Sequence, residues 1–310
     1  MNTEKTYTLE DLDRLEFPGT ALAVLGDPVK HSLSPVMHNA ALALLAESDG
    51  RFQDWAYYRF EVPATALLEA LPRFHAKGFK GLNLTVPHKV LALETVEELS
   101  AEAAAMGAVN TLRRTDAGWE GFNTDGYGME RGLQDELGQE LRGHEILLVG
   151  SGGAARAAAA QCLRSGCAKL YLGNRSQDRL AELYEILRDM NTGIPIQTFQ
   201  LSDLPTDLPE TGVLINATSL GLRGEDPAPV TVADIPPAWA VYDMVYNPPE
   251  TRLLKAARAR GMPCANGLSM LVHQGARALE LWTDAVVDAG RMEAAAKAAL
   301  AQNGKAPEHA

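Results

Sequence analysis

The sequence predicts an α/β fold with two domains: an N-terminal domain on a mostly parallel sheet and a second domain that is doubly wound. Three observations point there. The 310 residues suffice for two cores at roughly 100–200 residues per domain. Short apolar runs alternate with longer segments of helical period in two separate series, as parallel sheets under covering helices require. Between the series, VNTLRR and WEGFN flank Asp116-Ala117-Gly118, a hairpin turn that breaks the alternation and closes the first domain.

In the first series ALAVLG (21–26), WAYYRFEV (55–62) and GLNLTV (81–86) read as strands. PVMHNAALALLAE (35–47) and ATALLEALPRFHAKG (64–78) read as helices, with further helical material up to Met106. The second series opens after a helix-like segment at 125–138. Its strands are HEILLVG (144–150), AKLYLGN (168–174), IPIQTFQ (194–200), GVLINATS (212–219), AWAVYDMV (238–245) and MPCAN (262–266). Helices at roughly 268–282 and 284–301 end the pattern. DPAPVTVADIPP (226–237) lies between two strands and reads as a long loop.

With 46% hydrophobic and 22% charged residues the composition is that of an ordinary folded protein. The net charge of −12 disfavours nucleic acid and anionic membranes, while leaving room for a basic pocket that takes one small anion. The expected partner is therefore a small molecule, with no nucleic acid and no membrane. Residues 1–19 carry five acids against two bases and no apolar core, so they do not read as a secretory signal. No apolar run approaches the roughly 18 residues of a spanning helix, and a cytoplasmic protein is expected. Cys162, Cys167 and Cys264 form no CxxC pair, which argues against disulfides and against a metal site.

GSGGAAR (150–156) follows a strand and opens an Ala-rich helix. Glycines at 150, 152 and 153 permit a tight turn and let helix N-terminal N–H groups approach a pyrophosphate, as in Rossmann-type dinucleotide sites. Taken alone the motif fits a structural turn equally well, and Ala155 stands in its third glycine slot. The next strand ends 24 residues after Gly150, where an acid would bind the ribose of NAD. Here stand Asn174, Arg175 and Ser176, with Arg179 one turn beyond Arg175. Two guanidiniums four residues apart share a helix face and can clamp a 2′-phosphate, so NADP is the expected cofactor.

Three polar clusters sit at strand ends of the first domain. Ser32 and Ser34 precede Pro35, where hydroxyls and free N–H groups can receive a carboxylate, although Ser34 equally reads as a plain N-cap. Lys89 follows Pro87 in NLTVPHK (83–89), where a solvated lysine is the ordinary reading. Asp125 in FNTDG (122–126) could equally cap the next helix.

Ser32-Leu-Ser34, NLTVPHK, GAVNT (107–111), NTDG (123–126), GSGGAAR, NRSQDR (174–179), INATSLG (215–221), DMVY (243–246) and NGLSMLVHQ (266–274) together resemble the shikimate dehydrogenase family. The resemblance runs in order from about residue 21 to about 285, leaving out the N-terminal extension and the tail. It implies reversible reduction of 3-dehydroshikimate by NADPH to shikimate, on the route to chorismate and aromatic amino acids. Hydride transfer to a ketone leaves charge on oxygen, so a proton donor must lie within reach.

By the resemblance Lys89 fills that role, and Asp125 holds a substrate hydroxyl and orients Lys89. Ser32 and Ser34 bind the carboxylate with help from Tyr246, and Thr85, Asn110 and Gln274 bind or position ring hydroxyls. Asn83 belongs to the same pocket. The resemblance assigns Gly150, Ser151, Gly152, Gly153 and Ala154 to the cofactor turn. Asn174, Arg175, Ser176 and Arg179 match the adenosine-phosphate clamp, and Met244 and Gly267 border the nicotinamide.

It further implies a substrate domain of residues 1–124 plus 266–310, because Gln274 must reach the substrate, and an NADP domain of 125–265, with the active site in the gap between them. The assembly is expected to be a monomer or homodimer. Ser151 and Ser269 depart from the family's common Ala and Gly, and His88 stands where Phe is frequent, either titrating beside Lys89 or packing. None of the eight tyrosines has Lys four positions later, which excludes the Tyr-x-x-x-Lys mechanism. A NAD-linked quinate/shikimate dehydrogenase would prefer an acid near 175, and a catalytically silent sensor would lack Lys89 and Asp125.

Overall fold

Burial on both faces explains why the strands were visible as unbroken apolar runs. The computed structural model describes residues 1–190 and 192–303, so the tail beyond Asn303 lies outside it. The chain divides into Met1–Thr124 with the segment from Gln274 onward, and Asp125–His273.

The acidic N-terminal segment is structured. β1 (Thr6–Tyr7) is followed by α1 (Leu9–Arg14), started by a capping box in which Thr8 and Asp11 satisfy each other's backbone N–H. β2 (Thr20–Gly26), α2 (Ser34–Ser48), β3 (Trp55–Glu61), α3 (Leu67–Ala76) and β4 (Gly81–Leu84) give the expected alternation. Beyond β4 the expected helix up to Met106 is broken up. α4 (His88–Leu91) and a 3₁₀ turn lead to β5 (Glu98–Leu99) and α5 (Ala101–Met106). Ser100 accepts the Ala103 N–H at 3.2 Å and starts α5 afresh, while Gly107 ends it in the left-handed region at φ 56°. The hairpin follows as β6 (Thr111–Arg114) and β7 (Trp119–Phe122).

The first sheet has the order β1-β3-β2-β4-β6-β7-β5, parallel except where β6 pairs with β4 and β7. On one face Phe60, Phe74 and Phe79 meet edge to face, with Phe74 4.8 Å from Phe60 and 4.9 Å from Phe79. On the other, the His38 ring of α2 stacks on Tyr57 of β3 at 4.0 Å.

The second unit starts with α6 (Asp125–Leu137) and continues through β8 (Glu145–Val149), α7 (Gly153–Arg164), β9 (Lys169–Asn174), α8 (Gln177–Asp189) and β10 (Ile196–Gln200). β11 (Val213–Asn216), β12 (Ala240–Asp243), α9 (Arg252–Ala259) and β13 (Cys264–Asn266) complete a sheet of order β10-β9-β8-β11-β12-β13, all parallel. This is the doubly wound order of a Rossmann-type domain. The strands are shorter than their apolar runs. The β10–β11 connection carries no helix, and β11–β12 has only a 3₁₀ turn at Val232–Asp234. Ala155 and Ala157–Ala160 of α7 are all buried, their small side chains letting the helix lie close on the sheet. Cys162, Cys167 and Cys264 are free thiols.

α10 (Leu268–Thr283) and α11 (Ala289–Asn303) end the chain. The division between units falls inside α10, so residues 266–273 go with the second unit, because β13 extends that sheet through the Asp243–Asn266 pairing. In the first unit Trp282 donates from Nε1 to the Leu112 carbonyl at 2.9 Å, and α11 packs along α2. Among the described residues no helix is long and apolar enough to cross a membrane.

Candidate active site

The strand order reverses between β2 and β4 in the first unit and between β8 and β11 in the second. Open parallel sheets bind ligands beyond the carboxyl ends of the strands at such a reversal. The candidate residues of each unit gather there.

In the first unit the ends of β2 and β4 run close together. A Cβ on Gly26 would come within 2.4 Å of the Thr85 methyl, and the Thr85 N–H donates to the Leu25 carbonyl at 3.0 Å. Ser34 is not the N-cap. α2 begins at Ser34 itself, because Leu33 already has helical dihedrals, and no side chain caps it. The Ser34 hydroxyl is thereby left for other partners; burial pushes the pKa of the Tyr57 phenol well up. The Ser34 N–H donates to the Ser32 hydroxyl at 3.3 Å.

A buried polar network runs on from Tyr57. Its phenol donates to Asn83 Oδ1 at 2.7 Å, and Asn83 Nδ2 donates to Thr111 Oγ1 at 2.9 Å and to the Asn110 carbonyl at 3.2 Å. Thr111 Oγ1 donates to Asn110 Oδ1 at 2.9 Å, which also receives the Thr124 N–H at 2.9 Å. Asn110 Nδ2 reaches Thr124 Oγ1 at 3.0 Å and Gln274 Oε1 at 3.4 Å. Asn110 is only 1% exposed, so each of these bonds replaces one to water.

Lys89 is half-buried on α4, and its carbonyl accepts the Val109 N–H at 2.7 Å, tying the α4 turn to the segment that carries Asn110. His88 is buried with neither ring nitrogen hydrogen-bonded, and burial lowers its pKa, so it packs as a neutral ring. Asp125 is buried and opens α6, following directly on Thr124. It is the first helical residue rather than the residue before the helix.

In the second unit Gly150 has φ +128°, and a Cβ there would lie 2.8 Å from the Ala217 carbonyl oxygen. Gly152 is the N-cap of α7 and supplies no side-chain hydrogen bond, leaving the first N–H groups around Gly153 and Ala154 without an intrahelical partner. Ser151 lies half-buried in the same turn. β9 ends at Asn174, whose Nδ2 donates to the Ser176 carbonyl at 3.0 Å, and Ser176 starts α8 without a side-chain cap. Arg175 and Arg179 are exposed, and neither pairs with a carboxylate among the described residues. By contrast Arg156 of α7 is already engaged with Glu182.

Met244 and Gly267 lie at the ends of β12 and β13. The Met244 N–H donates to the Asn216 carbonyl at 3.0 Å, and a Cβ on Gly267 would come within 2.2 Å of the Met244 oxygen. Tyr246, two residues beyond Met244, is half-buried, and burial raises its phenol pKa.

Asn83, Asn110 and Gln274 thus share one network in the first unit, with Ser32, Ser34, Thr85 and Lys89 on the turns at the strand ends. Asp125, Tyr246 and the cofactor candidates belong to the second unit. Sequence reasoning missed Tyr57, Thr111 and Thr124. It also missed Asp243, a buried carboxylate accepting from Asn216 at 2.8 Å, Val245 at 3.1 Å and Thr251 at 2.6 Å, which joins the ends of β11 and β12. Burial raises its carboxyl pKa. The motifs NTDG and DMVY were visible, but not which of their members act as struts.

Family models match three stretches of the chain: the shikimate dehydrogenase substrate binding domain at residues 24–112, shikimate/quinate 5-dehydrogenase at 133–221 and the shikimate 5'-dehydrogenase C-terminal domain at 267–297. A shikimate dehydrogenase (NADP(+)) of Geobacter metallireducens is 39% identical over 286 residues, covering 90% of this chain and 96% of the relative. Shikimate 5-dehydrogenase of Thermus thermophilus, solved with NADP(H) and shikimate, is 36% identical with a TM-score of 0.78, covering 90% of this chain and 99% of that one. Quinate dehydrogenase of Corynebacterium glutamicum, solved with NAD, is 28% identical with a TM-score of 0.79 over 90% and 99% of the two chains. The chain belongs to the shikimate dehydrogenase family.

Proposed function

We propose that this chain catalyses the reversible reduction of 3-dehydroshikimate to shikimate, with NADP as its cofactor. One observation carries the reading: at one strand reversal stands a buried network of Asn83, Asn110 and Gln274, and at the other a glycine turn followed by two unpaired guanidiniums. The first offers fixed donors and acceptors to a polyhydroxylated ring. The second offers helix N–H groups to a pyrophosphate and Arg175 and Arg179 to a 2′-phosphate, and the shared β9 end carries no acid to repel it.

NADPH, when bound, supplies the hydride. Ser32, Ser34 and Tyr246 hold the substrate carboxylate, while Asn83, Thr85, Asn110 and Gln274 hold the ring hydroxyls. Lys89 donates a proton to the carbonyl oxygen as charge develops there, and accepts the hydroxyl proton in reverse. Asp125 holds a substrate hydroxyl and orients Lys89. Such an enzyme serves aromatic amino acid biosynthesis in the cytoplasm, as a monomer or homodimer.

Initial rates of shikimate oxidation with NADP and with NAD test the reading, repeated with quinate and on Lys89→Ala. Faster turnover with NADP and shikimate is expected, and a loss on the order of 10²–10⁴-fold in the variant. Equal or better rates with NAD overturn the cofactor assignment, and undiminished turnover in Lys89→Ala overturns the proton donor.

A further inference from the structure

We infer that Arg59 is a positioning residue for substrate carboxylate recognition, acting on the Ser32–Ser34 loop, and that the N-terminal segment holds Arg59 in place. The inference rests on the proposed role of Ser32 and Ser34.

Arg59 lies on β3 two residues after Tyr57, on the same face of the strand. Its Nη1 donates to the carbonyls of Lys30 at 2.7 Å and Ser32 at 3.1 Å, and its Nη2 donates to the Glu4 carbonyl at 2.5 Å. The Nε–H is buried without an acceptor. Every acceptor is a backbone carbonyl, and among the described residues no carboxylate pairs with this guanidinium. Arginine nonetheless stays charged. A half-buried cation that makes no direct ion pair, with only the Glu4 charge attracting it at longer range, is costly to desolvate, so its retention calls for a compensating contribution.

The geometry supplies one. The fork grips the loop between β2 and α2 by two carbonyls, including that of Ser32 itself, whose hydroxyl accepts the Ser34 N–H at 3.3 Å. A fixed positive charge against this loop also raises its attraction for a carboxylate, which bulk solvent would otherwise weaken. The third grip reaches the segment before β1, and β1 is held in parallel register with β3 through the Thr6–Arg59 pairing. That segment lies outside the matched family regions, which begin at residue 24. The grip on the Glu4 carbonyl thus gives the segment before β1 a role in holding Arg59.

The test uses full-length Arg59→Met and Arg59→Lys, and the chain lacking residues 2–4. The readouts are kcat, KM for NADP, and KM for shikimate and for its methyl ester. Arg59→Met is expected to raise KM for shikimate about tenfold, as loss of charged hydrogen bonds implies, with kcat within about twofold and KM for NADP unchanged. KM for the ester moves far less, so the preference for acid over ester collapses.

Arg59→Lys recovers part of the affinity, since one ammonium keeps the charge but not the three-way fork, and the shortened chain behaves like it. An acid-to-ester preference equal to wild type in Arg59→Met, or in Arg59→Lys if Met prevents folding, overturns the inference. So does an equal rise in KM for NADP. A wild-type chain that turns over no shikimate overturns the proposed function and this inference with it. An active wild type with an unchanged preference overturns this inference alone.

Discussion

The phenol of Tyr57 donates to Asn83 Oδ1 at 2.7 Å, and this single bond sets which way the Asn83 amide faces. With Oδ1 so engaged, Nδ2 is turned to Thr111 Oγ1 and to the Asn110 carbonyl, and the network behind it is defined through to Gln274. Tyr57 is fully buried, so no water replaces its hydroxyl if it is lost.

Tyr57→Phe is therefore expected to leave a buried acceptor unpaired and to cost about 1–3 kcal/mol of stability, read as a lower urea midpoint. KM for shikimate should rise while KM for NADP stays put. An unchanged midpoint would show that the amide is held without the phenol.

His38, stacked on Tyr57, predicts a pH effect on stability. Burial lowers its pKa from 6.5 to about 4, and the Nδ1 proton belongs to the hydrogen bond with the Ser34 carbonyl at 2.8 Å. The unfolded chain takes up a proton near its ordinary pKa while the folded chain resists until about 4. Stability is thus complete above about 6.5 and is lost as pH falls towards 4, by roughly 3 kcal/mol in all. Urea midpoints at pH 7 and pH 4.5, for wild type and His38→Asn, check this. The variant should lose less on acidification, and since the lowered His88 remains in both proteins, the difference reports His38. Parallel losses would show that His38 does not carry the effect.

What could be read from the sequence follows from where the physical signal lies. ALAVLG and HEILLVG are strands buried on both faces, so a local apolar run sufficed. β5 has two exposed residues at a sheet edge and gave no such signal. Arg175 and Arg179 were legible because a strand end followed by a helix start fixes their place along the chain. Tyr57 was not, since its partner Asn83 is 26 residues away and both lie in ordinary strand patterns. Arg59 was hidden for the same reason: its acceptors come from residues 4, 30 and 32, and WAYYRFEV shows only a strand. Helix α2 begins one residue before the expected position because the conformation of Leu33 depends on the loop before it, which residue type does not report.

The two unpaired guanidiniums predict a selective loss. Arg175→Ser should raise KM for NADP about tenfold, and the Arg175→Ser/Arg179→Ser pair further, because each removes charge-assisted bonds to a dianionic group. The efficiency with NAD, which lacks that phosphate, should stay within a few fold. Steady-state rates with both cofactors decide the point, and an unchanged NADP-to-NAD ratio removes these residues from the clamp.

Two glycines of one turn predict opposite outcomes. Gly150 has φ +128° and would place a Cβ 2.8 Å from the Ala217 oxygen, so Gly150→Ala strains the turn from within and should cost more than about 1 kcal/mol of stability, read as a lower urea midpoint. Gly152 has φ −77° and ψ −176°, which any residue adopts, and a Cβ there meets nothing within 4 Å. As the N-cap of α7 the position favours glycine over an aliphatic residue, but serine would serve there equally well, so the need for a bare backbone falls to a ligand lying against it. Gly152→Ser should then fold with at least the wild-type urea midpoint and yet raise KM for NADP at least tenfold, with KM for shikimate little changed. A normal KM for NADP in Gly152→Ser would leave the helix N-terminus without its proposed pyrophosphate, whereas a lowered midpoint would place the constraint in the fold instead.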